Sequence, residues 1–403
     1  MRTLFIGKIW PEPESSAAGQ RTLSLIEAVQ EMDWPVTFAS TAQPNEYSFD
    51  PERSGISTNV IAVNDSSFDR WISDLNPELV VFDRFMMEEQ FGWRVSAFCP
   101  DCLQILDTSD LHCLREARRV QILGQKSELD LFNEIALREI ASIFRSDLSL
   151  IISEMEIGIL ADTFQVPLSQ CIYLPLMVDA PDANPLAYEN RRNFVMIGNY
   201  LHAPNWDAVT WCCKSIWPNI RRALPEAELH IYGAYEPTHI REQASKKLGI
   251  RTMGRAKSSL ETLGQYRVNV APLRFGAGQK GKVADGLCSG TPTVVTPIAA
   301  ESMNGAIDWG CLITDDADGF AQTAVDVYSD QSLWSNVQKQ GFKIVEERLL
   351  KSKWKPRFVE RIRSIDPVRR NKNFIGRMLR HHNHRSTEYM SRWIELKNKQ
   401  SNR

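Results

Sequence analysis

The chain contains 403 residues, which is more than one hydrophobic core usually serves, so its length predicts two domains of about two hundred residues each. Hydrophobic residues make up 43% of the chain and charged residues 24%, a balance that excludes collagen-like, mucin-like and wholly disordered proteins. No run approaches eighteen apolar residues, and the N-terminus lacks the apolar core of a signal peptide. We therefore expect a protein of the cytoplasm.

Charge is unevenly distributed along the chain, whose net charge is −3. Residues 351–403 carry sixteen Lys or Arg and four Asp or Glu, a balance of +12 that leaves −15 for the rest. Such a segment either packs against the acidic part of its own chain, which we favour, or contacts an anionic membrane surface. No recognised nucleic-acid motif accompanies the charge, so nucleic acid is not an expected partner. We expect the apolar helical face formed by Tyr389, Trp393 and Leu396 to pack in the core. We expect His381, His382 and His384 to be surface residues.

The first half alternates strand-like and helix-like segments, the rhythm of a parallel sheet with crossover helices. Apolar residues at helical spacing predict a helix over residues 21–32. Buried strands are predicted at residues 4–7, 36–39, 79–82, 103–106 and 149–152. Each strand stops at a polar or small residue, and in open α/β sheets those ends face the ligand crevice.

A proline-punctuated stretch at residues 167–192 interrupts this rhythm and reads as the crossing between domains. A second alternating series follows, with strands at 194–197, 229–232, 268–273 and 293–296 and helices at 208–223, 259–264 and 281–289. The pattern predicts an α/β protein of two Rossmann-like halves that face a cleft. We place the domains at residues 1–175 and 193–350, with a linker at 176–192 and a basic helical segment at 351–403 that crosses back to the first domain.

The strongest indication of a functional site is the sequence APLRFGAGQKGKVADGLCSGTP at residues 271–292. Here a buried strand is followed by a glycine-rich turn, and a helix begins at the end of the turn. The turn brings together three glycines and three cations: Gly276, Gly278, Gly281, Arg274, Lys280 and Lys282. Glycines allow positive φ and close approach of backbone N–H groups to an anion, and the helix N-terminus adds partial positive charge. The combination predicts a phosphate or diphosphate site.

The same glycines match G-x-G-x-x-G, the dinucleotide fingerprint. A dinucleotide site has this motif after the first strand of its domain, with an acidic residue near the end of the second strand. Here the motif lies late in the second half, and two lysines crowd the turn. An NAD(P)-linked dehydrogenase is therefore the less favoured alternative, and a turn without a ligand leaves the three cations unexplained.

The stretch GAGQKGKVADGLCSGTPTVVTPIAAESM resembles the donor-binding signature of retaining GT-B glycosyltransferases of the family-4 type. Residues 194–200, FVMIGNY, resemble the first strand and turn of that family's nucleotide domain, and residues 4–7 with the loop at 15–21 resemble the opening of its acceptor domain. The resemblance spans about residues 1–345. It implies a GT-B architecture of two Rossmann-like domains, with parallel sheets facing a cleft. It also implies sugar transfer from a nucleoside-diphosphate sugar to a hydroxyl acceptor with retention of anomeric configuration and no metal or other cofactor.

Several residues receive donor-binding roles from the resemblance alone. Asp285 stands where the family has an acid that holds the nucleotide ribose, although an acid in the first turn of a helix is also favoured by the helix dipole. The other donor-binding positions are Gly198, Asn199, Gly19 and Glu301. The expected partners are a nucleotide-sugar donor and a glycan, lipid-linked or other hydroxyl acceptor, with a place in surface-polysaccharide synthesis.

The sequence also departs from the family pattern. Ala277 stands where the family has the first of two glutamates, and Asn199 and Asn205 stand where many members have Arg and Lys. The cations of the glycine-rich turn would then stabilise the leaving diphosphate largely alone. These departures keep open a second alternative, a GT-B-like protein that binds a nucleotide sugar or glycan without turnover.

On the facing side of the cleft, Asp107 ends a predicted strand at the position where the family commonly has a residue beside the reacting carbon of the sugar. His112 and Arg115 share a helical face, so one would orient an acceptor hydroxyl and the other attract a phosphate. The alternative is that Asp107 and Asp110 are helix caps and His112 an ordinary histidine. Cys99 and Cys102 form a lone C-x-x-C without a second pair, so no metal site is predicted.

Overall fold

The computed structural model describes residues 1–309, 312–366 and 368–401, without the side chain of Arg369. The first domain contains a seven-stranded sheet in the order β3-β2-β1-β4-β5-β6-β7, and all of its pairings are parallel. Its strands are β1 Thr3–Gly7, β2 Val36–Ser40, β3 Ser57–Val60, β4 Leu79–Asp83, β5 Leu103–Asp107, β6 Leu148–Ile151 and β7 Cys171–Tyr173. Strands β1 and β6 are buried along their whole length, and β2, β4 and β5 are buried at every residue but one, because helices cover both faces of a parallel sheet.

Seven helices connect these strands: α1 Ala17–Gln30, α2 Pro51–Ser54, α3 Ser67–Leu75, α4 Phe85–Phe98, α5 His112–Ile122, α6 Glu134–Arg145 and α7 Glu154–Asp162. Two apolar cores lie in this domain. Leu4 and Ile6 of β1 belong to one core, and Phe5 between them belongs to the other. This alternation along one strand places the two cores on opposite faces of the sheet.

The second domain contains a five-stranded parallel sheet in the order β10-β9-β8-β11-β12. Its strands are β8 Arg192–Asn199, β9 Leu229–Ala234, β10 Ile250–Gly254, β11 Tyr266–Ala271 and β12 Thr293–Val295. Its helices are α8 Ala203–Trp211, α9 Trp217–Ala223, α10 Thr238–Arg241, α11 Ser259–Gly264, α12 Gly281–Cys288, α13 Pro297–Ala300, α14 Ala317–Ser329 and α15 Gln331–Ile344. Strand order reverses between β1 and β4 and again between β8 and β11, and ligands of open α/β sheets bind beyond such points.

After α15 the chain returns to the first domain. Helix α16, Lys351–Arg363, buries Trp354 and Phe358 in the core beneath the first sheet. Lys355 pairs with Glu27 of α1 at 3.0 Å and with Glu31, at the C-terminal end of α1, at 2.7 Å. Part of the basic segment therefore packs against acidic groups of its own chain.

Three further helices follow, α17 Arg369–Lys372, α18 Phe374–Leu379 and α19 Arg385–Ser401. Here the structure corrects two expectations. His384 is buried, and its Nε2 lies 3.2 Å from Oε1 of Glu88. The apolar face of α19 is exposed rather than packed in the core, with Tyr389 66%, Trp393 58% and Leu396 61% accessible.

Candidate active site

A cavity of about 250 Å³ lies between the two domains, at the carboxyl ends of both sheets. Three helices begin at its wall. Ser16 and Ala17 at the start of α1 line it, as do Pro204 in α8 and Gly281 in α12. The first turn of a helix carries partial positive charge, and the first turns of α1 and α12 also present backbone N–H groups, so this cavity favours an anionic ligand.

The glycine-rich turn before α12 packs tightly against the first domain. Gly278 has φ +63°, and a Cβ atom there would lie 2.9 Å from Cβ of Asp110. A Cβ atom on Gly281 would lie 2.4 Å from Cβ of Ala17. Glycine at these two positions therefore allows the two domains to approach each other at the cavity.

Lys280 lies inside this turn. Its Nζ donates to the carbonyl of Ala277 at 3.0 Å and also to the carbonyl of Gly278. Burial lowers the pKa of the Lys280 ammonium, while the carboxyls of Glu301 and Glu156 act in the opposite direction. Lys280 lines the cavity, and its hydrogen bonds brace the turn that presents the backbone N–H groups.

Lys282 is the second cation of the turn at the cavity. Its Nζ donates to Oδ1 of Asn205 at 2.7 Å, and Nδ2 of Asn205 donates to the carbonyl of Asn199 at 2.6 Å. A Cβ atom on Gly198 would lie only 3.1 Å from Nζ of Lys282. Burial, together with the charge of Lys280, lowers the pKa of Lys282 to about 7. A bound diphosphate would favour the charged form of this ammonium.

Asp285 lines the cavity one turn further along α12. Its Oδ2 accepts a hydrogen bond of 2.7 Å from the hydroxyl of Ser259. Burial raises the pKa of Asp285 to about 6. Gly233 and Ala256 line the same cavity, so the cavity wall contains small residues as well as the carboxyl of Asp285.

Five of the predicted site residues lie outside the cavity wall, and Gly278, which packs against Asp110, is one of them. Arg274 is held by Asp207 of α8, with Nε 2.9 Å from Oδ2. Asp107 is 2% exposed and forms a buried ion pair with Arg21 at 2.9 Å. The structure thus places Arg274 and Asp107 away from the cavity wall, each with its side chain bound to a charged partner within the protein.

The other two residues have structural contacts as well. A Cβ atom on Gly19 would lie 2.7 Å from the backbone N of Glu12, so this glycine allows close packing of α1 against the preceding loop. Glu301 pairs with Arg118 at 2.6 Å, and Arg118 also donates to the carbonyl of Gly276 at 2.7 Å. This ion pair joins α5 to the segment after α13 and ties the glycine-rich turn to the first domain.

His112 lines the cavity from the first domain. Its Nδ1 lies 3.1 Å from the carbonyl of Asp110 and 3.3 Å from Oε1 of Glu139, which leaves Nε2 for a ligand. Arg115 also lines the cavity and pairs with Asp110 at 2.5 Å. The structure thus brings His112 and Arg115 into the same cavity as Lys280 and Lys282.

Two groups that join the two domains were missed by reasoning from sequence. Glu156 of α7 is fully buried, and its Oε1 accepts the N–H of Leu111 at 3.0 Å and that of Gly278 at 2.8 Å. Burial raises the pKa of this carboxyl, and the charge of Asp110 raises it further. Glu156 therefore joins the loop before α5 to the glycine-rich turn.

The second group closes one side of the cleft. Arg255, which lines the cavity, lies over the ring of Tyr47 at 3.4 Å from its centroid and 3.4 Å from Oε2 of Glu12. The hydroxyl of Tyr235 donates to Oε1 of Glu12 at 2.6 Å. No local motif marks these residues, since the contacts join loops of the two domains.

Residues 191–330 match the family model described as "Glycosyl transferases group 1". The chain carries a glycosyl transferases group 1 domain. The matched segment contains β8 to β12 and the glycine-rich turn, and it ends with α14. The enzyme class is glycosyltransferase, and this match favours it over the dehydrogenase alternative.

Solved structures share the whole architecture. HepE of Anabaena, in complex with UDP and glucose, matches with a TM-score of 0.69 and 10% identity over 90% of this chain and 100% of that chain. The pneumococcal O-GlcNAc transferase GtfA matches with a TM-score of 0.68 and 11% identity over 90% and 99%. A glycosyltransferase from Rickettsia africae matches with a TM-score of 0.66 and 9% identity over 89% and 97%. No curated protein sequence matches. The predicted GT-B fold is confirmed.

Two observations concern metals and membranes. Within the described ranges, no group of three or more His, Cys, Asp or Glu side chains is arranged to hold a metal ion. No helix in the described part of the chain has the length and apolar character needed to cross a bilayer.

Proposed function

We propose that this glycosyltransferase transfers a sugar from a nucleoside-diphosphate sugar to a hydroxyl acceptor with retention of anomeric configuration. One observation carries the proposal. The half-buried Lys282, the braced glycine-rich turn and the first turns of three helices all line a single interdomain cavity. Positive charge and N–H groups concentrated at one point suit the diphosphate of such a donor.

In the proposed reaction, the bond between the anomeric carbon and the diphosphate oxygen breaks, and a bond to the acceptor oxygen forms on the same face. The acceptor proton passes to the leaving diphosphate. Lys282 and the N–H groups of the turn stabilise the negative charge that develops there, an effect worth about 3–4 kcal/mol for one well-placed donor. Lys280 acts by holding the turn, and Arg274 takes no part.

We further propose that the nucleotide lies along the side of the cavity that contains Asp285 and Ala256. An ionised carboxyl of Asp285 would accept hydrogen bonds from two adjacent ribose hydroxyls. UDP is the first nucleotide to test, because it is the one bound in the HepE and GtfA structures. The acceptor would enter from the side of His112 and Arg115.

The exposed face of α19 supports a second part of the proposal, contact with the cytoplasmic surface of an anionic membrane, where lipid-linked or surface-polysaccharide acceptors would be glycosylated. Tyr389, Trp393 and Leu396 are exposed on a helix within the basic segment, a combination typical of interfacial helices. Sedimentation with anionic vesicles should exceed that with neutral vesicles and fall for Trp393→Ser. Equal recovery with both vesicle types would refute membrane contact.

The donor is identified by thermal shift with a panel of nucleoside diphosphates and their sugars, followed by an assay of nucleoside diphosphate release with candidate acceptors. NMR of the product then gives its anomeric configuration. Donor binding without release under any acceptor would instead support the non-catalytic alternative. A shift with NAD or NADP and none with nucleoside diphosphates would contradict the proposal.

A further inference from the structure

Two arginines of the first domain line the cavity beside His112. Arg84, between β4 and α4, and Arg115 on α5 have side chains that are 12% and 28% exposed. Within the described residues, Arg84 pairs with Asp83 through Nε at 3.4 Å, and Arg115 pairs with Asp110 through Nη1. Each guanidinium has five donors in a planar fork, so both retain N–H groups for a ligand in the cavity.

The backbone at Arg84 is unusual. Its φ and ψ angles are +72° and 158°, a region that is essentially restricted to glycine. A non-glycine residue persists there only when the surrounding structure holds it, and such residues cluster at functional sites. The N–H of Arg84 donates to the carbonyl of Asp107 at 2.8 Å, which fixes the residue at the end of the sheet beside the cavity.

Charged groups of both signs lie around these arginines. The carboxyl of Asp83 faces Arg84, and that of Asp110 faces Arg115. Glu139 lies 3.3 Å from His112. Burial lowers the pKa of Lys8, and the two arginines lower it further. The pKa of His202 is lowered to about 4 by desolvation in the cleft and then by the same arginines, so its ring adds no charge at neutral pH.

We propose that Arg84 and Arg115 form a second oxyanion site, which binds a carboxylate or phosphate group on the acceptor. This inference rests on the proposed function and names the class of acceptor, a glycan or glycoside that bears an acidic group. The planar fork of arginine suits carboxylate and phosphate oxygens alike. The acidic group would thereby place the acceptor hydroxyl near His112.

The test uses the full-length protein saturated with UDP and three sugars that differ only at C6: glucose, glucuronate and glucose 6-phosphate. Binding is measured by isothermal titration calorimetry. We expect the acidic sugars to bind about tenfold more tightly than glucose and the Arg84→Gln/Arg115→Gln variant to lose this preference. The carboxylate and phosphate arms show which group is preferred. Arg119→Gln is the matched control, because Arg119 lies one turn further along α5 and pairs with Glu116 at 2.7 Å.

A second variant separates binding from folding. Arg84→Gly relieves the backbone and should raise the melting temperature while reducing the preference for acidic sugars. Equal affinity for glucose and both acidic sugars, or a preference that survives the double substitution, would overturn the inference. Failure of every nucleoside diphosphate in the panel to bind would contradict the proposed function instead, so the two failures are distinguishable.

Discussion

Replacement of Lys282 by alanine tests how the cavity holds a diphosphate. A hydrogen bond between a charged donor and a phosphate oxygen contributes about 1.5–3 kcal/mol. The pKa of Lys282 is lowered to about 7, so at pH 7 about 0.4 kcal/mol of this gain is used to protonate the amine. We therefore expect Lys282→Ala to weaken UDP binding by about 1–2.5 kcal/mol, or roughly five- to seventyfold, as measured by calorimetry.

The affinity for UDP should also depend on pH, in the direction set by the protonation of Lys282. Because the free amine is half protonated near pH 7 and the diphosphate favours the charged ammonium, binding takes up a proton and weakens as pH rises through 7. The advantage of the wild type over Lys282→Ala should shrink by roughly eightfold between pH 6.5 and pH 8. Calorimetry in buffers of different ionisation enthalpy measures the proton uptake directly.

Arg274→Ala is the matched control, since Arg274 belongs to the same segment but pairs with Asp207 away from the cavity. It should lower the free energy of unfolding by about 1–2 kcal/mol, because Asp207 is buried and loses its partner. UDP affinity should change less than twofold. A larger loss of affinity in Arg274→Ala than in Lys282→Ala would refute the assignment.

Three further outcomes follow from the same geometry. Gly278→Ala should lower the free energy of unfolding by about 1–3 kcal/mol in urea denaturation, because alanine is strained at φ +63°; an unchanged midpoint would contradict this. Gly281→Ala should weaken UDP binding more than it changes stability, since the added methyl group meets Ala17 of the other domain; equal affinity to wild type would show that this contact is unimportant. Burial raises the folded-state pKa of Glu156, so wild-type stability falls as pH rises above the ordinary carboxyl pKa. Glu156→Gln, which keeps the oxygen acceptor, should lose that dependence, and its melting temperature should exceed that of the wild type at pH 9. If the melting temperatures of the wild type and Glu156→Gln fell equally as pH rises, the raised pKa of Glu156 would be contradicted.

The strands and the glycine-rich turn could be predicted because their signals are local. Runs of apolar residues bounded by polar ones marked β1, β4 and β5 to within a residue or two, and the strand, turn and helix of residues 266–288 were recognisable together. The short strand β3 was missed. Three of its four residues are exposed, so it lacks the apolar signature of an inner strand.

The side-chain assignments were less predictable because they depend on partners distant in sequence. Asp107 is held by Arg21, 86 residues away, and Arg274 by Asp207, 67 residues away. Sequence places a charged residue beside the cleft but does not reveal whether another side chain of the protein already neutralises it. Glu156 was missed for the same reason, since the two N–H groups that its Oε1 accepts come from other segments.

A crystal structure with bound UDP tests the central claim most directly. The account predicts the diphosphate at the first turns of α1 and α12, with Nζ of Lys282 at hydrogen-bond distance from a phosphate oxygen. The ribose should lie beside Asp285. Electron density for UDP outside the cavity, or a diphosphate held by Arg274 with Lys282 still bound to Asn205, would contradict it.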